Sequence, residues 1–136
     1  MKKYIIDTNA LISFVTDRNL SQQQVVAPLF LAASKLKCTL VCHQFALTEF
    51  VFVMTKVYGT APETVNSMIR DLITMPGIEV YQQTDFQTLL KLWPASISDF
   101  GDAVIATAAK TIKGSTIVTF DAKFKSALKK LGIDSL

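Results

Sequence analysis

The chain has 136 residues, half of them apolar, with 14 Lys and Arg against 11 Asp and Glu for a formal charge of +3. A single domain of that size buries a working core without metal or disulfide staples, and so mild a charge does not argue nucleic-acid binding by itself. The distribution is more informative: with Asp7, Glu49, Asp99, Asp102 and Asp121 set aside as a candidate metal cluster, 6 acids face 14 bases, and a cationic body around an anionic pocket suits a polyanionic substrate.

In chain order, Tyr4 to Ile6 reads as a strand ending at Asp7, and Ala10 to Val15 as a short helix entered through Asp7, Thr8 and Asn9, all good capping types. Lys2 and Lys3 before apolar residues imitate a secretory signal, but Asp7, Thr8 and Asn9 interrupt it. Ser21 to Lys37 is helical by pattern, with Ser21 as cap and Pro28 bending or dividing it. Thr39 to Cys42 is a second strand. Phe45 to Tyr58 is apolar on nearly every side and predicts a largely buried helix with Glu49 inside it. Thr60-Ala61-Pro62-Glu63 has the form of a capping box opening a helix that Pro76-Gly77 closes. Ile78 to Tyr81 is a strand, Asp85 caps a helix through Trp93, Asp99 opens another to about Lys113, Thr116 to Phe120 is a buried strand, and a last helix runs from about Ala122 to Leu131. Strands alternating with helices predict one α/β domain over residues 1–136, built as a sandwich around a mainly parallel sheet.

Cys38 and Cys42, with three residues between them in a strand, fit neither a zinc site nor a redox pair. They read as reduced core thiols, which implies a reducing compartment and a cytoplasmic protein. Glu49 splits the longest apolar run, Phe45 to Met54, so no membrane partner is expected.

Each acid has a plain explanation. Asp7 and Asp121 follow strands and precede helices, as N-caps do, and Asp99 with Asp102 resembles a cap plus a first-turn acid favoured by the helix dipole. Glu49, on an apolar helix, must be paired with Lys or Arg or hold a cation. Jointly the acids favour a metal site, because strand ends of a parallel sheet share one edge and residues three apart share a helix face. A few carboxylates with retained waters suit Mg²⁺, which can polarise a phosphoryl oxygen and activate a water. Thr8, Asn9 and Thr119 stand where they could orient such ligands. The single histidine, His43, rules out two-histidine catalysis, and no P-loop or Gly-x-Gly signature is present. Lys110, Lys113, Lys123 and Lys125 are candidates to hold substrate phosphates, against the alternative of solvated helix faces.

Ile5-Ile6-Asp7-Thr8-Asn9, the isolated Glu49, Asp99-Phe100-Gly101-Asp102-Ala103-Val104 and Val118-Thr119-Phe120-Asp121 together resemble the PIN-domain family over almost the whole chain, and within it the small VapC-type toxins of toxin–antitoxin pairs. The resemblance implies a Rossmann-like α/β/α sandwich and a Mg²⁺- or Mn²⁺-dependent endoribonuclease. It implies Asp7, Glu49, Asp102 and Asp121 as the acidic quartet, with Asp99 an additional acid of some members. It also implies a small antitoxin partner that places a basic side chain among the carboxylates.

The apolar content of the helices at Ser21 to Lys37 and Thr60 to Met75 exceeds what one small core absorbs, which predicts an exposed interface and a homodimer. A phosphatase of the haloacid dehalogenase type wants a second Asp two residues after the first, where this chain has Asn9. A non-catalytic module has no reason to tolerate the repulsion of four intact acids.

Overall fold

A computed structural model describes all of residues 1–136. Four strands, β1 (Lys3–Ile6), β2 (Thr39–His43), β3 (Ile78–Tyr81) and β4 (Thr116–Val118), form one wholly parallel sheet in the order β3-β2-β1-β4. Because β1 lies between β2 and β4, its end at Asp7 is flanked by the end of β2 at His43 and by the residues after Val118.

The helices are α1 (Thr8–Val15), α2 (Leu20–Ser34), α3 (Gln44–Phe52), continued by a π-helical turn at Val53–Val57, α4 (Pro62–Thr74), α5 (Phe86–Leu92), α6 (Phe100–Thr111) and α7 (Ala122–Lys130). Alternation along the strands divides the core into two layers. Ile6, Leu40, Cys42 and Val118 pack with Leu11, Val26, Phe30, Phe50 and Leu72 from the helices α1 to α4. Ile5, Val41 and Ile117 point the other way, onto Leu89, Leu92, Ile105, Phe124 and Leu128 of α5, α6 and α7. The expected α/β/α sandwich is therefore observed. Both cysteines are free and buried, and burial pushes the Cys42 thiol up to about 12, so it packs as an inert hydrophobe. No helix is long and apolar enough to cross a membrane.

Several local expectations need correction. Asn19, not Ser21, caps α2, its side-chain oxygen accepting the Gln22 N–H at 3.0 Å, and the helix ends at Ser34 rather than Lys37. Pro28 sits inside α2 without dividing it: Gln24, whose carbonyl loses its donor, is exposed and can turn to water. The Thr60 capping box does not form, because Ala61 occupies the cap position and no side chain closes that end. The segment Phe45 to Tyr58 is less buried than its composition suggests, with Val51, Phe52, Val57 and Tyr58 exposed. Strand β4 stops at Val118, two residues early, since the Asp7 N–H takes the Val118 carbonyl at 3.0 Å and the Asn9 side chain then takes the Phe120 N–H at 2.9 Å. A side-chain amide replaces the next rung of the ladder.

Entry into β3 depends on Gly77. Its φ of +81° lies in the left-handed region, and a Cβ there would run into the backbone carbonyl of Ala33 at the end of α2. Its own carbonyl accepts the Leu40 N–H at 2.8 Å and starts the pairing with β2. Gly77→Ala should therefore destabilise the fold by at least about 2 kcal/mol, combining left-handed strain with overpacking against backbone. Urea melts measure this, and a loss below about 0.5 kcal/mol would contradict the close approach.

Candidate active site

Parallel strands ending at one edge deliver helix N-termini to that edge, and four acids occupy the junctions. Asp7 follows β1 and caps α1, its Oδ1 accepting the Thr8 N–H at 2.9 Å. Asp99 caps α6 by accepting the Asp102 N–H at 2.9 Å, and Asp102 lies in the first turn of the same helix. Asp121 caps α7, its Oδ1 accepting the Phe124 N–H at 3.1 Å. Glu49 comes from α3, one turn beyond Phe45. Helix α3 is itself capped by His43, whose Nδ1 accepts the Phe45 N–H at 2.9 Å while Nε2 meets the Gln83 carbonyl at 3.0 Å. Burial holds the His43 imidazole below its usual pKa, in keeping with a neutral ring that accepts at Nδ1 and donates at Nε2.

Asp7 is the anchored member. It is 5% exposed, and its Oδ2 accepts from the Thr119 hydroxyl at 2.7 Å and from the Asn9 amide at 3.3 Å. Asn9 also donates to Thr119 Oγ1 at 3.0 Å, and Thr119 Oγ1 in turn accepts the Asp121 N–H at 3.2 Å. Thr8, Asn9 and Thr119 thus stitch the end of β1 to the turn after β4 and fix the Asp7 rotamer. Arg18 supports this from behind, donating to the Asn9 carbonyl at 2.9 Å. The Thr8 hydroxyl is buried beside Asp7 and has no partner in the chain, the one side-chain polar atom of which this is true.

The acids feel one another. Burial, then the charges of Asp7, Asp99, Asp121 and Glu49, push the Asp102 carboxyl up to about 7. Burial is also the main cause of a raised Asp7 pKa; the Thr119 and Thr8 hydrogen bonds oppose it, and Glu49 and Asp121 add to it. No lysine or arginine pairs with any of the five, since the one ion pair in the chain is Lys3 with Glu79. Pairing of Glu49 with a base, one of the two readings open from sequence, is thereby removed. No three acidic, histidine or cysteine side chains close into a ready metal cage. An all-oxygen set that is open, anionic and flanked by an unpartnered hydroxyl fits a cation that keeps part of its water shell, as Mg²⁺ does, better than one needing a closed tetrahedron.

The lysines divide. Lys123, in the first turn of α7, lines a cleft of about 340 Å³ together with Asp99, Asp102 and Asp121. Lys125 lies on another side of the same helix, facing a separate groove with Lys129 and Asp134. Lys110 and Lys113 stand at the far end of α6 from Asp102, roughly 12 Å along the helix axis, and line a different cleft with Lys91 at the opposite edge of the sheet. Closeness in sequence to Asp102 did not make them neighbours of it.

Gly101 is a site residue the sequence reading passed over. A Cβ there would strike the Phe45 ring, so glycine lets α6 approach α3 and brings Asp102 towards Glu49. A glycine between two acids in the first turn of a helix was the available signal, because glycine is costly there without such a reason.

The raised Asp102 pKa has a stability consequence. Its folded value lies above the ordinary 3.8, so the folded chain binds that proton more tightly than the unfolded chain. The contribution is complete below the unfolded pKa and is lost as pH rises through the folded value of about 7. Asp7 acts with the same sign and His43 with the opposite sign, so the test is a difference between proteins. Without divalent metal, the melting temperature of wild type relative to Asp102→Asn should fall between about pH 5 and about pH 8, and a pH-independent difference would contradict the raised Asp102 pKa and with it the burial and crowding that cause it.

No curated protein matches the chain in sequence. Among the solved structures that match are VapBC2 from Rickettsia felis bound to a DNA fragment from its promoter (17% identity, TM-score 0.69, 98% of this chain and 97% of that one) and DNA-bound VapBC from Salmonella typhimurium (18% identity, TM-score 0.69, 100% and 98%). The PIN domain endonuclease Utp24 is similar at 18% identity and a TM-score of 0.58, covering 98% of this chain and 83% of that one. At such identities the likeness shows the fold. The family model described as the PIN domain matches residues 3–123, a span that includes all five acids, and the chain belongs to the PIN-domain family.

Proposed function

We propose that this chain is a divalent-metal-dependent endoribonuclease and the toxin of a toxin–antitoxin pair. The observation that carries the nuclease reading is the set of unpaired carboxylates at the carboxyl edge of the sheet, where burial and then the neighbouring acids lift Asp102 to about 7. Membership in the PIN-domain family supports it, as PIN domains are generally nucleases. Asp7, Glu49, Asp102 and Asp121 would hold Mg²⁺ or Mn²⁺, with Asp99 at the margin. Such an ion, when bound, polarises a phosphoryl oxygen and lowers the pKa of a bound water. The chain supplies the rest. Asp7 is held ready by Thr8, Thr119 and Asn9, so little reorganisation is needed when a cation arrives. Lys123 is placed to meet substrate phosphate beside the acids. With neutral His43 committed to capping α3, protons must leave through water or a carboxylate.

The toxin assignment draws on the two similar structures described as VapBC. A partner that fits this surface is a small antitoxin bringing a basic group to the carboxylates. The homodimer expected from α2 and α4 has exposed Val25 and Leu31 on α2 and Ile73 on α4 to support it, and exposed Val51, Phe52, Val57 and Tyr58 on α3 and the turn after it offer a second apolar face. An RNA-processing nuclease outside any toxin system is the second reading; the likeness to the PIN domain endonuclease Utp24 supports the endonuclease part of it. Co-purification with the product of an adjacent open reading frame distinguishes the two.

The nuclease reading is tested with labelled RNA. Wild type should cleave it with Mg²⁺ or Mn²⁺ and stop when chelator is added. Asp7→Asn, Glu49→Gln, Asp102→Asn and Asp121→Asn, all folded, should each lower kcat by at least about 100-fold, since each removes a metal-binding charge while keeping side-chain shape. Wild-type cleavage by Asp102→Asn would remove that residue from the site.

A further inference from the structure

Lys110, Lys113 and Lys125 stand away from the acids, yet they fall in line with one another. Two grooves on the α7 side of the sheet share a wall. One, of about 580 Å³, follows the face of α7 that carries Ala122, Lys125, Ser126 and Lys129. The other, of about 700 Å³, lies between α5 and the end of α6 and carries Lys91, Lys110 and Lys113. Residues 132–134 line both, so the grooves adjoin. Positions 122, 125, 126 and 129 form one helix face, which runs ~10 Å along the axis from the neighbour of Asp121 to the end of α7. The lysines therefore lead from the acids to the opposite edge of the sheet.

The shared wall is held by backbone bonds. The Ile133 N–H donates to the Leu128 carbonyl at 3.0 Å, the Ile117 N–H to the Asp134 carbonyl at 3.0 Å, and the Leu136 N–H to the Ile117 carbonyl at 2.8 Å, which fixes the last residues against β4. At the far lip the Lys2 ammonium donates to the Gly114 carbonyl at 2.9 Å and adds its charge. Five lysines line the two grooves against two acids, Asp85 and Asp134. Asp85 is already engaged, since its carboxylate accepts the Gln87 and Thr88 N–H groups and, at 2.8 Å, the Thr88 hydroxyl. None of the five lysines is ion-paired. A row of unneutralised cations in adjoining grooves focuses positive potential along their length.

The lining also says which anion fits. It contains no aromatic ring to stack on a base and no arginine to fork onto a base edge, only ammonium groups with the hydroxyls of Thr111, Ser115 and Ser126 between them. A flat membrane surface would touch the rims alone and finds no aromatic anchor there. An extended chain of phosphodiesters matches both the shape and the charge.

We propose that the RNA strand flanking the scissile phosphate leaves the acids along α7 and lies on Lys125 and Lys129, then on Lys113, Lys110 and Lys91, gripped by its backbone without regard to sequence. This rests on the nuclease reading for its biological meaning. The binding itself is measurable without cleavage.

Fluorescence anisotropy with the full chain in chelator, where no RNA is cut, compares a short RNA that covers the acids alone with a long one of mixed sequence. Long RNA should bind more tightly, with an affinity that falls steeply with salt. Lys110→Gln with Lys113→Gln, or Lys125→Gln with Lys129→Gln, should each weaken long RNA by at least about tenfold and flatten the log–log salt slope by about 1.4. Lys35→Gln with Lys37→Gln, an equal loss of charge at the end of α2 in the other helix layer, should leave the slope alone. Neither poly-glutamate nor phosphatidylserine vesicles should displace long RNA as well as unlabelled RNA does. An unchanged slope in either groove pair, an equal loss in the α2 pair, or equal displacement by poly-glutamate or vesicles would overturn the proposal. Lysine-dependent binding with no cleavage by wild type in Mg²⁺ or Mn²⁺ would remove the nuclease reading and leave the lysine tract standing, whereas cleavage with a slope indifferent to these lysines would do the reverse.

Discussion

Backbone capping is the interaction on which the site depends. Carboxylates that repel one another need a reason to stay together, and in three of the five that reason is a helix N-terminus. Asp7, Asp99 and Asp121 each use Oδ1 to accept a backbone N–H from the first turn of a helix. Each bond is charge-assisted and sits at the positive end of a helix dipole, which offsets part of the repulsion. Capping and metal binding do not compete for every oxygen: each cap engages Oδ1, the Oδ2 atoms of Asp99 and Asp121 take no hydrogen bond within the chain, and Oδ2 of Asp7 accepts from Thr119 and Asn9.

The sheet order turns this local device into a cluster. With β1 between β2 and β4, the caps of α1 and α7 become adjacent, and the side chains of Asn9 and Thr119 bind them together across the missing rung of the ladder. The remaining acids arrive on α3 and α6, which meet where the Phe45 ring packs against Gly101. Position in the site is thus inherited from ordinary elements of an α/β fold. What distinguishes this edge is that no base neutralises it.

Much of this was legible in the sequence because strand ends and helix caps announce themselves locally. Asp7, Asp85, Asp99 and Asp121 were all recognisable as caps, and all four cap helices. Elements whose outcome rests on distant partners were less legible. The early stop of β4 follows from an amide more than a hundred residues away. The exposure of Val51 and Phe52 depends on which side of α3 meets the sheet, a choice that a uniformly apolar helix does not encode. Lys110 and Lys113 looked close to the acids by residue number, but α6 carries them to the other edge of the molecule.

The central claim, that Asp7, Glu49, Asp102 and Asp121 form one cation site at the carboxyl edge with Asp99 at its margin, is tested most directly by paramagnetic Mn²⁺ followed through amide resonances. Substoichiometric Mn²⁺ should broaden Thr8, Glu49, Asp102 and Phe124 first, leaving the basic cleft around Lys110 and Lys113 sharp. Broadening centred on Asp85 or Asp134, or spread evenly over the surface acids, would contradict it.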